Sequence, residues 1–143
     1  MSSAATRITA ETTVGEVMTT DLVTLQIDDT LRLADDMMNL AHVRHFPVMQ
    51  GDKLAGIINQ VDLLHASMAS LIRHPKDSPR EALGAVAVKD VMSPANTVIA
   101  ETSIFTAARL MVEQNVECLL VVEEGKLVGL VSRTDLLREL TKT

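Results

Sequence analysis

Aromatic residues are nearly missing from this chain of 143 residues: it has no Trp and no Tyr, and Phe stands only at 46 and 105. Any core must therefore be aliphatic. Cysteine is almost as scarce. Cys118 is alone, so no disulfide can form within the chain, and a reducing cytoplasm is the expected setting. Its apolar neighbours point to a buried, inert thiol. No apolar run approaches the roughly 18 residues of a membrane-spanning helix, so no membrane is expected as a partner. The first residues, Met1 to Arg7, lack the apolar stretch of a secretory signal. Basic residues are outnumbered, with 13 Lys and Arg against 19 Asp and Glu and a formal net charge of −6. That balance argues against nucleic acid, which requires clustered cations. The sequence also has no P-loop, no nucleophile motif with supporting His and Asp, and no Cys with an evident base. An enzyme is not expected.

Hydrophobic residues make up 47% of the chain and charged residues 22%, which suits a soluble globular protein. Met occurs eight times and suits an adaptable core. The informative feature is a phrase that occurs twice. Gly56-Ile57-Ile58-Asn59-Gln60-Val61-Asp62-Leu63-Leu64 is answered by Gly129-Leu130-Val131-Ser132-Arg133-Thr134-Asp135-Leu136-Leu137. Each is an apolar strand-like run that turns polar and then becomes a helix.

The repetition extends well beyond the phrase. Val14, Val17 and Met18 begin a short helix, and Val88, Val91 and Met92 answer them at an offset of 74. From Thr30 and Ser103 onward the offset is 73, with one residue slipping in the loop before the first long helix. Leu22 to Leu25 reads as a strand. Leu31, Ala34, Met37, Met38 and Ala41 recur at helical spacing after the acidic start Asp28-Asp29-Thr30. His45 to Met49 and Leu54 to Ile58 read as strands joined by a turn at Gln50 to Lys53, and a further helix runs to about Leu71 or Ile72. Pro47 suggests that its missing N–H is not needed by a neighbouring strand. The polar stretch from Arg73 to Glu81, with two prolines, reads as a linker.

The expected organisation is a tail over residues 1–10, one repeat over 11–72, a linker over 73–84 and a second repeat over 85–143. The expected fold class is α+β (of α/β type). Each repeat is a small three-stranded sheet packed with helices, and the two are related by a pseudo-two-fold axis. A repeat of this size is marginal alone, and two copies sharing a core would leave clefts where the sheets meet.

These residues resemble the cystathionine β-synthase (CBS) domain: Thr/Ser-x-Leu-x-x-Ala-x-x-x-Met, apolar-Pro-Val, then Gly-apolar-apolar-Thr/Ser-x-x-Asp. Two in tandem resemble a Bateman module, here a stand-alone pair covering roughly Thr13 to Leu140. The resemblance implies a regulatory module rather than a catalyst. It implies an adenosine-containing ligand (AMP, ADP, ATP or S-adenosylmethionine) in the cleft between repeats, no required cofactor, and a homodimer that can act on a regulated protein partner.

The polar switch at the end of the phrase carries the candidate chemistry. A carboxylate accepts two ribose hydroxyls well, and Asp135 is placed for that. Ser132 stands three residues earlier at the same helix N-terminus, which suits a phosphate. Ser-x-x-acid is also a helix-capping pattern, and the two roles are compatible. Gly129 permits close approach, and Arg133 is a nearby cation. In the first repeat Asn59 replaces the hydroxyl residue while Asp62 is retained, so the two switches are expected to differ. A phosphate also needs cations, and the resemblance implies them just before the apolar-Pro-Val strand, at Arg44 and His45, whose counterparts, Glu117 and Cys118, are not basic. A working site would then draw on both repeats. Thr24 and Thr97, with Val23 and Val98, lie in the expected first strands, where the resemblance implies an adenine pocket; strand propensity alone also explains them. His42-x-x-His45 is too sparse for a metal site, and none is expected. The competing reading is a ligand-free assembly module that dimerises or docks a partner through its helices.

Overall fold

A computed structural model describes residues 12–142. The tail expected over residues 1–10 lies outside the described residues.

The chain forms two compact units, and these do not follow the order of the repeats. One comprises Val23–Ala95; the other combines Met1–Leu22 with Asn96–Thr143. The expected α+β class holds, with mixed helices and two three-stranded sheets in two repeats. In the contiguous unit, β1 (Leu25–Gln26) pairs in parallel with β2 (His45–Gln50), which pairs antiparallel with β3 (Lys53–Asn59). Helices α2 (Leu31–Ala41), α3 (Gln60–Arg73) and α4 (Pro79–Gly84) and a 3-10 turn (Val88–Asp90) complete it. The other unit holds α1 (Val14–Val17), β4 (Thr97–Val98), α5 (Ile104–Gln114), β5 (Cys118–Glu123), β6 (Lys126–Ser132) and α6 (Arg133–Leu140). Its strands follow the same order and directions.

Each core is aliphatic, as the composition requires, with one aromatic exception. Phe46, Leu31, Val48, Ile58 and Val88 are wholly buried in the contiguous unit. Val14, Val121 and Val131 are wholly buried in the other. The leading short helix of each repeat therefore sits in the unit built by the other repeat's strands. Val14 belongs to the core of β4–β6, and Val88 to that of β1–β3. Backbone pairing holds these segments in place. Ser93 and Ile57 exchange both hydrogen bonds (2.8 and 2.9 Å), and Thr19 and Leu130 do the same (2.8 and 3.0 Å).

Three local differences from the sequence reading have physical causes. The first strand is Leu25–Gln26, so Val23 and Thr24 precede it, whereas Thr97 and Val98 form β4. Pro47 explains the contrast. It lies in the central strand, where the amide of its counterpart Leu120 donates to Asn96 (2.9 Å). A proline cannot make that bond, and the parallel ladder starts later. Second, residues 79–84, within the stretch expected to link the repeats, form a helix. Ser78 caps it by accepting from the Glu81 amide (3.1 Å), Pro79 occupies its first turn, and Ala82 and Leu83 are buried. Arg80 clasps the Asp36 carboxylate on α2, with Nη2 to Oδ2 at 2.9 Å. Third, the slipped residue falls ahead of the first strand, between the Thr19 and Ser93 bridges and β1 and β4.

Helices α2 and α5 both end on a left-handed residue, His42 (φ 54°) and Asn115 (φ 53°). Asn tolerates that conformation better than His. His42→Gly is expected to stabilise the protein by about 0.5–1 kcal/mol, because glycine adopts this conformation without a Cβ penalty. A rise in the urea midpoint at constant slope would verify it; a fall would refute it.

Candidate functional site

Both repeated phrases run from a strand into a helix, as the spacing predicts. β3 passes directly into α3 at Asn59, and β6 into α6 at Ser132. At each switch a strand neighbour tightens the turn. The Gln60 amide donates to the Arg44 carbonyl (3.0 Å), and the Arg133 amide to the Glu117 carbonyl (2.7 Å). The helix N-termini thus begin with extended caps and an acid at the third helical position, which suits the positive end of the helix dipole.

The second switch is a complete capping box. The Ser132 amide donates to Asp135 Oδ2 (2.8 Å), and the Asp135 amide donates to Ser132 Oγ (3.1 Å). Both oxygens still have capacity. The Ser132 hydroxyl accepts in this bond and keeps its own proton to donate. Asp135 Oδ1 faces Arg138 Nη1 at 3.4 Å, a weak contact to an exposed arm. The Asp135 side chain is 13% exposed, so it is reachable yet partly shielded. Arg133 is half-exposed and lies 3.8 Å from Glu117, a surface pair.

The first switch brings together different residues. The Asn59 amide donates to Asp62 Oδ2 (2.9 Å). Asp62 Oδ1 accepts from the Ser93 hydroxyl (3.1 Å). Asn59 Oδ1 lies 2.8 Å from His45 Nδ1, which makes that ring nitrogen the donor. His45, read as a cation for phosphate, is thus gathered to Asn59 by the β2–β3 register, in which the two residues are opposite. Arg44 is exposed, beside a cavity of about 300 Å³ that also touches Met38, Asn39, His42, Val43 and Gln60. A cavity of about 390 Å³ occupies the matching place between α5 and α6, lined by Met111, Asn115, Arg133, Leu136 and others.

The remaining candidates divide by unit. Thr97 is exposed and Val98 buried on β4; Val23 packs against the core of the contiguous unit, and Thr24 is exposed. Gly129 is buried, and a Cβ there would meet the Met18 thioether; a Cβ on Gly56 would meet the Ser93 carbonyl and the Met92 thioether. These glycines seat the leading segments. Ser93 and Arg138 were not singled out by the sequence reading. The signal for Ser93 was the matched pair Met18-Thr19 and Met92-Ser93 just after the short helices.

Burial pushes the Cys118 thiol up to about 12, with the Glu117 carboxylate adding to the shift. It is protonated at neutral pH and has no nucleophilic role. Among the described residues, no group of three or more His, Cys, Asp or Glu side chains converges as a metal site would require. No helix among them is long and apolar enough to cross a membrane.

Comparison with known proteins gives one family. The family model described as the CBS domain matches residues 14–69 and 88–142. A CBS domain-containing protein of Dictyostelium discoideum is 33% identical over 132 residues, covering 90% of this chain and 91% of its own length. The chain spans only 44% and 38% of two further curated relatives. The structure of CBSX2 in complex with AMP is similar at a TM-score of 0.73 and 28% identity, covering 89% of this chain and 94% of that one. The CBS domain of a bacterial CNNM/CorC family Mg2+ transporter, in complex with ATP, gives a TM-score of 0.79 at 22% identity, covering 96% and 92%. At that identity the likeness concerns the fold alone.

Proposed function

Because this chain belongs to the CBS-domain family and carries the domain twice, we propose that it is a regulatory module that binds an adenosine-containing nucleotide at the Ser132–Asp135 switch. The observation that carries this reading is the state of the Asp135 carboxylate. One oxygen is held by the Ser132 amide, which fixes its orientation, while the other has only the long contact to Arg138 among the described residues. A ribose diol can take that oxygen and displace a flexible surface arm. The positive end of the α6 dipole suits a phosphate or a ribose oxygen. Arg133 supplies a cation within the same turn. AMP in the related CBSX2 supports the ligand class. The ligand acts by binding two states of the module unequally, which is what regulation requires.

The test is thermal unfolding of the full chain with AMP, ADP, ATP, S-adenosylmethionine and NAD. A ligand at 100 times its Kd stabilises the folded state by about 2.7 kcal/mol. Asp135→Ala is expected to weaken binding roughly 100-fold, since a hydrogen bond to a charged group contributes about 1.5–3 kcal/mol. The same change removes half of the α6 capping box, so each variant is referred to its own ligand-free melting temperature. No stabilisation by any of the five at millimolar concentration would sink the nucleotide reading.

A second reading has its own observation. Val61, Leu64, Met68 and Ile72 form an apolar stripe on α3 and are 58%, 58%, 57% and 81% exposed. Helix spacing places them along one side. A second copy of the chain would cover such a stripe, giving a homodimer. Sedimentation equilibrium checks it: Leu64→Glu/Met68→Glu is expected to yield monomer from dimer, and a wild-type monomer would discard it.

A further inference from the structure

The two switches share one sequence pattern, yet their acids are engaged differently. At the first, Asp62 Oδ2 takes the Asn59 amide and Oδ1 takes the Ser93 hydroxyl at 3.1 Å. The side-chain oxygen of Asn59 is occupied by His45. The acceptor oxygens that could take a ribose diol, both of Asp62 and the amide oxygen of Asn59, thus each have a partner within the unit. Ser93 does not reach Asp62 by chance. Its backbone is pinned to Ile57 by two hydrogen bonds, and its carbonyl presses so near Gly56 that a Cβ there would lie at 2.8 Å. The hydroxyl is therefore held at the carboxylate by a rigid bridge. At the second switch Thr19 occupies the matching position, bridged to Leu130 in the same way. Among the described residues Thr19 makes no hydrogen bond to Asp135, whose Oδ1 meets only Arg138.

We propose that Ser93 disables the first switch: its hydroxyl turns Asp62 into a clasp for the segment after the 3-10 turn, and so limits the chain to one ribose-binding acid, Asp135. The proposal rests on the nucleotide reading above and adds a residue that sets the number of ligands. A ribose at Asp62 would have to break the Ser93 bond and leave that hydroxyl without its acceptor. This cost does not arise at Asp135, where only an exposed arginine moves.

Calorimetric titration of the full chain with AMP tests it, with 2′-deoxy-AMP reporting whether the diol is read. The wild type is expected to take one AMP per chain, and Asp62→Ala to change its affinity by less than about twofold, below the ~0.5 kcal/mol scatter of independent sites. Asn59→Ser alone is expected to keep one site. Asn59→Ser/Ser93→Ala restores a hydroxyl and frees the acid, and is expected to take two. Two sites in the wild type, or one in the double variant, would overturn the proposal. If the wild type binds no AMP, the nucleotide reading loses its AMP case, and the clasp is decided separately by melting. Ser93→Ala is expected to lower the melting temperature of the wild type but not of Asp62→Ala. Equal falls in both backgrounds would show that no clasp exists.

Discussion

Phe46→Ala is expected to cost about 4 kcal/mol of stability, the largest effect of any single truncation in the contiguous unit. Phe46 is wholly buried in the central strand β2, directly opposite Ile58, which is also wholly buried. The rest of that core is aliphatic and Met, so no second ring is present to slide into the space. Removing the ring loses its transfer free energy and leaves a void that packed strands close only in part. Domains of this kind have about 5–15 kcal/mol in total, so the variant should sit near the edge of folding. The measurement is a urea midpoint with unchanged slope, and a loss under about 1.5 kcal/mol would mean that the core collapses to fill the gap. Leu119, its counterpart in the other unit, is 1% exposed. Leu119→Ala should cost less, about 3 kcal/mol, because fewer atoms leave.

Gly56→Ala is expected to cost about 3 kcal/mol for the opposite reason, an added atom. The new Cβ would lie 2.8 Å from the Ser93 carbonyl oxygen and 2.9 Å from Met92 Sδ. The methionine can swing away. The carbonyl cannot, because it accepts the Ile57 amide at 2.9 Å. Relief of the clash therefore breaks the bridge that seats the leading segment on β3. Gly129→Ala is the built-in comparison. Its hard contact is the flexible end of Met18, and the Thr19 carbonyl stands farther off at 3.2 Å. A loss of about 1–2 kcal/mol is expected there. A Gly56→Ala variant as stable as Gly129→Ala would show that the backbone of residues 92–94 gives way easily.

Much of the fold was legible because the chain states it twice. The order of helix and strands follows from apolar spacing, and the doubled phrase placed both strand-to-helix switches. The capping box at Ser132 and Asp135 could be read from three-residue spacing alone. Pro47 could not be placed as well. A proline in a short apolar run suggests an edge, and only the pairing of both neighbours reveals a central strand with a shortened ladder. The helix at Pro79–Gly84 was masked by its polar, proline-rich start, although Ser78-Pro79 with Glu81 is a helix-start signal. The exchange of leading segments left no local trace. Val14 and Val88 look alike in sequence, and which sheet each joins is decided by tertiary pairing. Asp62 illustrates the limit at the site. Its spacing matches that of Asp135, but its second oxygen is claimed by a serine 31 residues away.

The exchange of segments also gives the chain a schedule. A ribosome delivers residues in order, and domains tend to fold as they emerge. Everything that the Val23–Ala95 unit needs is present once residue 95 is clear of the exit tunnel. The other unit cannot close then. Val14, Met18 and Thr19 are made before that unit, yet the partners they seat against, Val131, Gly129 and Leu130, are made after it. That leading element must wait through the synthesis of an entire unit with its apolar face uncovered, so it is placed only after the unit that follows it along the chain.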